Sequence, residues 1–201
     1  MKSKADIAVL VSGGGTNLQA LINAEKKGIL KSGEIKLVIS NKEGAFALER
    51  AKRSGIRTSV ITKKQFANQS DFEDALICEL EKNGIDLIIL AGFMAILSEK
   101  FTSRFPKRII NVHPSLIPSF CGDGFYGLHV HEAALKKGVK VTGATVHYVN
   151  EITDGGEIIL QKAVNVLEGD TPETLQKRVM RLAEWKILPM AAEMVSQMLI
   201  K

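Results

Sequence analysis

The chain has 201 residues, of which 45% are hydrophobic and 24% charged, the balance of a soluble globular protein that can bury an adequate core. Its two cysteines, Cys78 and Cys121, form no Cys-x-x-Cys pair, so the composition argues against a disulfide scaffold and a zinc ribbon. The net charge of +5 comes from lysines and arginines that are scattered over the ends of predicted helices, where they complement the helix dipole. A weaker alternative interpretation is that this charge attracts anionic small molecules. No nucleic-acid surface is expected.

Strand and helix patterns alternate through the first half of the chain. Five short apolar runs are typical of buried strands: "DIAVLV", "EIKLVIS", "IRTSVI", "IDLIILAG" and "RIINV". Helix patterns separate these runs, and Ser70 and Glu73 have the spacing of a capping box at the start of one of them. A short helix is expected at 98–104. Such alternation predicts a mostly parallel sheet with helices on both faces.

The second half of the chain changes this pattern. "VHEAALKKG" predicts a helix, whereas "KVTGATVHYV" and "EIILQKAVNV" have no helix between them and should pair antiparallel. Thr171 followed by Pro172 predicts the start of a long closing helix, which Pro189 should kink or interrupt. We therefore predict a single α/β domain over 1–201, with a mostly parallel central sheet and antiparallel strands in the C-terminal half.

The first apolar run is too short for the hydrophobic part of a signal peptide, and no stretch approaches the roughly 20 apolar residues of a membrane span. The expectation is a cytoplasmic protein that does not act at a membrane.

Ligands of open parallel sheets bind beyond the carboxyl ends of the strands, which directs attention to three loops: "SGGGTN", "AGFMAIL" and "NVHPS". In the first loop, glycines leave backbone N–H groups accessible at a helix start, which suits a phosphate. Leu18 stands where a dinucleotide fingerprint needs a small residue, and no Gly-Lys-Ser/Thr of a P-loop occurs. A monophosphate is the favoured ligand, and a tight turn without a ligand is the alternative.

Three polar residues near the predicted strand ends have the chemistry of an acid–base site. Asn111 and His113 end the fifth apolar run, and Asp154 precedes two glycines. Asp-Gly-Gly by itself is usually a turn. Opposite a histidine, however, a carboxylate raises the pKa of the imidazole and orients it. The three residues could thus supply an amide donor, an acid–base group and its partner, and the absence of a nucleophile motif indicates direct transfer.

The remaining histidines are His129, His131 and His147. The His-x-His spacing of the first two can suit a metal, but no supporting carboxylate cluster or His-Glu-x-x-His pattern occurs, so no metal site is predicted. His147 alternates with apolar neighbours and could be a hydrogen-bonded strand residue without a chemical role.

Seven motifs occur in one order over about residues 5–189: "SGGGTNLQALI", "SN", "LAGFMAIL", "NVHPSLIP", "GLHVHEAAL", "GATVHYV" and "DGGEIILQKAV". In these motifs the chain resembles the folate-dependent phosphoribosylglycinamide formyltransferases of purine biosynthesis. The resemblance implies a Rossmann-like formyltransferase fold, with 10-formyltetrahydrofolate as the formyl donor and the amine of 5-phosphoribosyl-glycinamide as the acceptor. It also implies that the partners are small molecules and that the enzyme is a monomer or a homodimer.

The resemblance assigns roles residue by residue. It implies that Asn111, His113 and Asp154 are catalytic, with Asp154 keeping His113 protonated. The substrate-binding set that it implies is a phosphate loop and one ribose ligand: Gly14, Gly15, Thr16, Asn17 and Glu184. Main-chain groups of Met94, Ile96 and Leu97 would hold the pterin, His129 would support Asp154, and the Ile117–Pro118 peptide would be cis.

The chain departs from the family pattern at three places. Ala95 stands where the family often has arginine, the loop at 119–126 is longer than in many members, and the spacing around Glu184 is one residue longer. Rival functions are a methionyl-tRNA formyltransferase, which carries a further C-terminal domain, and a formyltetrahydrofolate hydrolase, which carries an N-terminal regulatory domain. A non-catalytic phosphate-binding module is the alternative outside the family.

Overall fold

A computed structural model describes residues 2–201 of the chain. Its strands are β1 (Ala5–Val11), β2 (Gly33–Ser40), β3 (Arg57–Val60), β4 (Leu87–Leu90), β5 (Ile109–His113), β6 (Val141–Tyr148) and β7 (Ile158–Asn165). Its α-helices are α1 (Thr16–Lys26), α2 (Phe46–Arg53), α3 (Gln69–Lys82), α4 (Glu99–Arg104), α5 (Leu128–Lys137), α6 (Pro172–Val179) and α7 (Trp185–Leu199). A 3₁₀ turn at Lys63–Gln65 and a π-helical segment at Met180–Glu184 complete the regular structure.

The strands form one seven-stranded sheet in the order β3-β2-β1-β4-β5-β6-β7. Strands β1 to β5 are parallel, whereas β6 is antiparallel to β5 and β7 is antiparallel to β6. The predicted fold class, a mostly parallel sheet with antiparallel strands in the C-terminal half, is therefore confirmed. The carboxyl ends of β1, β4 and β5 lie next to one another, so the loops that follow these strands share one edge of the sheet.

Both faces of the sheet are buried, because strand side chains alternate between two hydrophobic clusters. In β1, Ile7 and Val9 belong to the cluster that includes residues of α1, α2, α6 and α7, whereas Ala8 and Leu10 belong to the cluster that includes α3 and α4. All four β1 side chains are fully buried. The uniformly apolar sequence of this strand follows from its central position between two helical layers.

Two local expectations are corrected. Helix α3 is capped by Asn68, whose side chain accepts a hydrogen bond from the Asp71 amide at 2.9 Å, and not by Ser70. The Glu73 carboxylate instead accepts a hydrogen bond from the Ser98 amide at 2.8 Å and so ties α3 to the start of α4. The Gln69 side chain at the start of α3 donates a second hydrogen bond to Glu73, at 2.7 Å, so this acid joins its own helix to the loop before α4.

The closing helix also differs from the prediction. Thr171 is the cap of α6, as expected, and its side chain accepts a hydrogen bond from the Thr174 amide at 3.3 Å. Pro189, however, lies inside α7 and does not end it. The irregularity of the closing helix is the π-helical segment Met180–Glu184, which lies upstream of Pro189 and ends next to Trp185, where α7 begins. Within residues 2–201, the helices are too short or too polar to cross a membrane.

Candidate active site

Three polar side chains lie together on the adjacent strands β5 and β6: Asn111, His113 and His147. Asn111 and His113 are two residues apart in β5 and therefore point to the same side of the sheet. The antiparallel register places His147 of β6 directly opposite Asn111. The Nε2 atom of His147 lies 3.3 Å from the Asn111 side-chain nitrogen, and its Nδ1 lies 2.8 Å from the Tyr148 carbonyl oxygen. Because a carbonyl needs a donor, Nδ1 carries the proton, and Nε2 accepts a hydrogen bond from Asn111.

Asp154 reaches these residues from the turn between β6 and β7. Its backbone has φ of 55°, which is uncommon for a residue other than glycine. The turn lies tightly against β6, because a Cβ atom on Gly156 would come within 1.8 Å of the Tyr148 carbonyl oxygen. The Asp154 carboxylate consequently lies 3.4 Å from His113 Nδ1 and 3.5 Å from His147 Nε2. The structure thus brings together Asn111, His113 and Asp154, as the sequence led us to expect, and adds His147.

The long loop at 119–126 closes on this group through its backbone. The Phe120 carbonyl oxygen lies 2.8 Å from His113 Nε2, and the Gly122 amide donates a hydrogen bond of 3.0 Å to Asp154. Both groups next to the His113 ring, a carbonyl and a carboxylate, are hydrogen-bond acceptors. This arrangement suits an imidazole that donates from Nε2 to Phe120 and directs Nδ1 to Asp154.

Burial and the neighbouring groups act in opposite directions on the pKa values of Asp154 and His113. For Asp154, burial raises the pKa, but the contact with the His147 ring, the hydrogen bond from the Gly122 amide and the proximity of His113 outweigh it, so that the pKa lies below its usual value. For His113, burial is the largest effect and lowers the pKa, against the opposing influence of Asp154 and of the Phe120 carbonyl. Burial of the ring thus opposes the effect of Asp154 in the protein without substrates, and the expectation that Asp154 keeps His113 protonated stays a prediction.

These residues line a cavity of about 700 Å³. Asn17 and Glu184 lie along the same cavity, and the Asn17 side-chain nitrogen donates a hydrogen bond of 2.8 Å to the Glu184 carboxylate. Burial raises the pKa of Glu184 to about 7, although the hydrogen bond from Asn17 lowers it. Glu184 ends the π-helical segment, and a π turn takes up about one residue more than an α turn. Such a turn could accommodate the longer spacing that the sequence predicts around Glu184.

The predicted phosphate loop leads into α1. Gly15 is the residue before the helix and has φ of 70°, and a Cβ atom there would lie 2.6 Å from the Ala47 Cβ atom, so only glycine fits. The Gly14 carbonyl accepts a hydrogen bond of 2.8 Å from Arg50, a cation that the sequence did not single out. Thr16 lies along a second cleft, of about 570 Å³, while Asn17 lines the main cavity. The start of α1 therefore stands between two clefts.

The segment after β4 forms another wall of the cavity, and Met94, Ile96 and Leu97 all line it. The Met94 amide already donates to the Ser12 hydroxyl at 2.8 Å, and the Ile96 carbonyl accepts from Gln69 at 3.0 Å. Leu97 is buried, whereas the side chains of Met94 and Ile96 are exposed. The main-chain groups left for a ligand are the Met94 carbonyl, the Ile96 amide and both groups of Leu97. With Ala95 between them, this wall is apolar.

The two histidines of the His-x-His pair point to different environments. His129 is exposed, and its Nδ1 lies 3.3 Å from the Glu132 carboxylate. The prediction that His129 supports Asp154 is wrong, because the imidazoles that contact Asp154 are those of His113 and His147. His131 is fully buried and lines the cavity. Among residues 2–201, no group of three histidine, cysteine or acidic side chains is arranged to hold a metal ion.

Several of these groups were missed from the sequence. The sequence leaves open whether His147 is an ordinary strand residue, because its role depends on which residue of β5 it faces. The carbonyl of Phe120 and the amide of Gly122 are main-chain groups, which carry no signature in the amino-acid sequence. The Ile117–Pro118 peptide, expected to be cis, is cis.

Comparison with known proteins gives consistent matches. A profile of the formyl transferase family matches residues 5–192. The trifunctional purine biosynthetic protein adenosine-3 of Homo sapiens is 48% identical over 195 residues, which are 97% of this chain and 19% of the human protein. The phosphoribosylglycinamide formyltransferase of Haemophilus influenzae is 43% identical over 184 residues, 92% of this chain and 84% of that protein.

Solved structures agree with the sequence matches. The crystal structure of glycinamide ribonucleotide transformylase 1 from Symbiobacterium toebii has a TM-score of 0.91 and 40% identity, and the match covers 98% of this chain and 90% of the other. The chain spans about a fifth of the length of the trifunctional relatives and most of the length of the Haemophilus relative.

Proposed function

Because this chain belongs to the formyl transferase family, we propose that it transfers the formyl group of 10-formyltetrahydrofolate to the amine of 5-phosphoribosyl-glycinamide, a step of purine biosynthesis. One observation carries the proposal. Asn111, His113 and Asp154 line a cavity of about 700 Å³ that also contains the Asn17–Glu184 pair and the apolar wall at 94–97, so that an acceptor at the former and a folate at the latter can meet at these three residues. Both substrates are small molecules, and the reaction needs neither nucleic acid nor a membrane.

The acceptor binds at the end of the cavity next to α1. Its phosphate meets the backbone amides of Gly14 to Asn17 at the start of the helix, where the helix dipole favours a negative charge. Its ribose hydroxyls donate to Glu184, whose buried carboxylate accepts them more strongly than a neutral group would. The raised pKa of Glu184 reflects a carboxylate that lacks enough donors in the free protein, and the hydroxyls supply the missing ones.

The folate binds against the apolar wall at 94–97. The unused main-chain groups of Ile96 and Leu97 hydrogen-bond the edge of the pterin, and apolar side chains cover its faces. The formyl group is thereby directed towards Asn111 and His113. Holding donor and acceptor in one line removes much of the entropic part of the barrier.

The reaction forms a bond between the acceptor amine and the formyl carbon and then breaks the bond from that carbon to N10 of the folate. The oxygen of the tetrahedral intermediate carries the developing negative charge. Asn111 donates one amide hydrogen to this oxygen, while its other amide hydrogen is bonded to His147. His113 donates to the same oxygen from Nδ1, the nitrogen that faces Asp154. Removing one such donor typically costs about 2.7–4 kcal/mol of transition-state stabilisation.

The charge on the intermediate also changes the protonation of His113. Burial lowers the pKa of this ring in the free protein, but an adjacent oxyanion favours the imidazolium and raises the pKa as the intermediate forms. The attacking amine loses one proton, which His113 takes up as the oxyanion forms and releases again for the departing N10 when the intermediate collapses, so the protons balance. Asp154, which stays ionised because of its lowered pKa, relays this proton through water.

The test is to mix the purified protein with 10-formyltetrahydrofolate, with and without phosphoribosylglycinamide, and to follow tetrahydrofolate by absorbance. The proposal expects deformylation only when the acceptor is present, with formylated acceptor as the second product. Deformylation without the acceptor would point to a hydrolase. No deformylation in either mixture would leave the chain as a binding module and refute the proposal.

A further inference from the structure

His131 is a buried imidazole that the reaction described above does not use. It lies near the start of α5, has no exposed surface and lines the cavity. Neither of its ring nitrogens has a hydrogen-bond partner among residues 2–201. Buried polar side chains are nearly always hydrogen-bonded, so an imidazole with both nitrogens unused at the wall of a cavity indicates a partner that arrives with the ligand.

The position of His131 limits what that partner can be. His131 and His113 line the same cavity. Helix α5 packs against α6, and Gln176 of α6 and the residues leading to Glu184 line the same cavity. His131 therefore belongs to the part of the wall shared by the reacting centre and the acceptor end, and not to the pterin wall at 94–97.

The ring is neutral at physiological pH. Burial, with a smaller contribution from the charge of His113, lowers the pKa of His131 to about 4. A neutral imidazole has one N–H donor and one bare nitrogen, and it suits an uncharged polar group rather than a phosphate or a carboxylate. The ligand group that it binds is therefore an amide, a hydroxyl or a water.

We propose that the N–H of His131 binds the amide carbonyl of the glycinamide moiety of the acceptor, while its bare nitrogen accepts from an ordered water. This inference rests on the proposed function. The acceptor is held at Glu184 by its ribose and reacts at His113 by its amine, and the amide is the polar group that connects these two ends. When water leaves the closed cavity, the amide carbonyl of the acceptor needs a hydrogen-bond donor. His131, a buried side chain of the cavity wall, has an N–H group without a partner.

The experiment compares two ligands and three variants by isothermal calorimetry, with no folate present. His131→Leu removes both nitrogens, His131→Gln retains a donor and an acceptor, and Thr142→Val is the matched control. Thr142 is also buried with an unused polar atom, but it does not line the cavity. The ligands are phosphoribosylglycinamide and ribose 5-phosphate, which has the sugar phosphate without the amide.

We expect His131→Leu to raise the Kd for phosphoribosylglycinamide by roughly 10- to 100-fold and to leave the Kd for ribose 5-phosphate within about threefold. His131→Gln should restore most of the affinity, and Thr142→Val should change neither Kd. In the transfer assay, His131→Leu should raise the KM for the acceptor and leave the KM for the folate unchanged.

Two results would overturn the assignment. An unchanged Kd for phosphoribosylglycinamide in His131→Leu would mean that the ring makes no contact with the amide, and an equal loss for both ligands would mean that it only packs. A wild-type protein that binds phosphoribosylglycinamide with the expected dependence on His131, yet transfers no formyl group, would refute the proposed function and leave this inference standing. A wild-type protein that binds no phosphoribosylglycinamide would refute both.

Discussion

Replacing Asp154 with asparagine removes one negative charge from the reacting centre and leaves the shape of the side chain almost unchanged. The carboxylate contacts His113 at 3.4 Å and His147 at 3.5 Å, and it accepts a hydrogen bond from the Gly122 amide at 3.0 Å. An asparagine oxygen can keep the bond from Gly122, but the charge that favours the His113 imidazolium is lost. The variant should fold and bind both substrates and should fail in turnover.

The size of the effect follows from the distance between the two groups. Opposite charges 3.4 Å apart interact by about 5 kcal/mol at an effective dielectric constant of about 20. The Asp154 side chain has 9% of its surface exposed, so screening by solvent is small. Rearrangement of the turn that carries position 154 reduces the net loss of this interaction energy in the variant. We therefore expect kcat to fall by roughly 10²- to 10⁴-fold, which corresponds to about 3–5 kcal/mol in the activation barrier.

The assay is steady-state transfer at saturating concentrations of both substrates, together with the Kd of each substrate by calorimetry. Asp123→Asn is the matched control, because it removes the same charge from the neighbouring loop, where Asp123 accepts a hydrogen bond from Thr153. Its kcat should stay within about threefold of the wild-type value. A kcat for Asp154→Asn within tenfold of wild type would refute the reasoning, and so would a loss that the control reproduces.

Three further predictions concern the supporting residues. His147→Leu should lower kcat by roughly 10- to 100-fold, because Asn111 loses the acceptor that orients its amide, and His147→Gln should recover part of the rate; equal rates in both variants would contradict this. Gly15→Ala should lower the free energy of unfolding in urea by about 1–3 kcal/mol, because of the positive φ and the contact with Ala47, and an unchanged midpoint would speak against it. Folding raises the pKa of Glu184 from 4.5 to about 7, so the folded state binds more protons in this window and stability declines as pH rises through it. The free energy of unfolding of the wild type should fall by about 3 kcal/mol at most between about pH 5 and about pH 8, measured by urea unfolding, and Glu184→Gln should remove this fall. An identical fall in the variant would exclude Glu184 as its source.

The fold could be read from the sequence largely because its rules are local. The central strands are continuous apolar runs, since both of their faces are covered, and the helices between them are marked by spacing and by glycine stops. The failures lie where a long-range contact competed with a local one. Glu73 binds the Ser98 amide in addition to Gln69 of its own helix, and Pro189 lies inside α7 without ending it.

The amino-acid sequence by itself determined which residues stand at the ends of the strands. Asn111 and His113 share a face of β5 because they are two residues apart, and the glycines after the first strand leave α1 open to a phosphate. What only the tertiary structure decided is which distant groups meet them. His147 faces Asn111 through the register of two antiparallel strands, and a shift of one residue would turn it to the other side.

The pair His129 and His131 illustrates the same limit most directly. The two residues lie two positions apart near the start of α5, and successive residues of a helix are about 100° apart, so they point in nearly opposite directions. The sequence shows both histidines but not which side of the helix faces the cavity. Packing of α5 against α6 decides it, leaving His129 in solvent and His131 in the wall of the site, because burial depends on contacts between elements that no local pattern encodes.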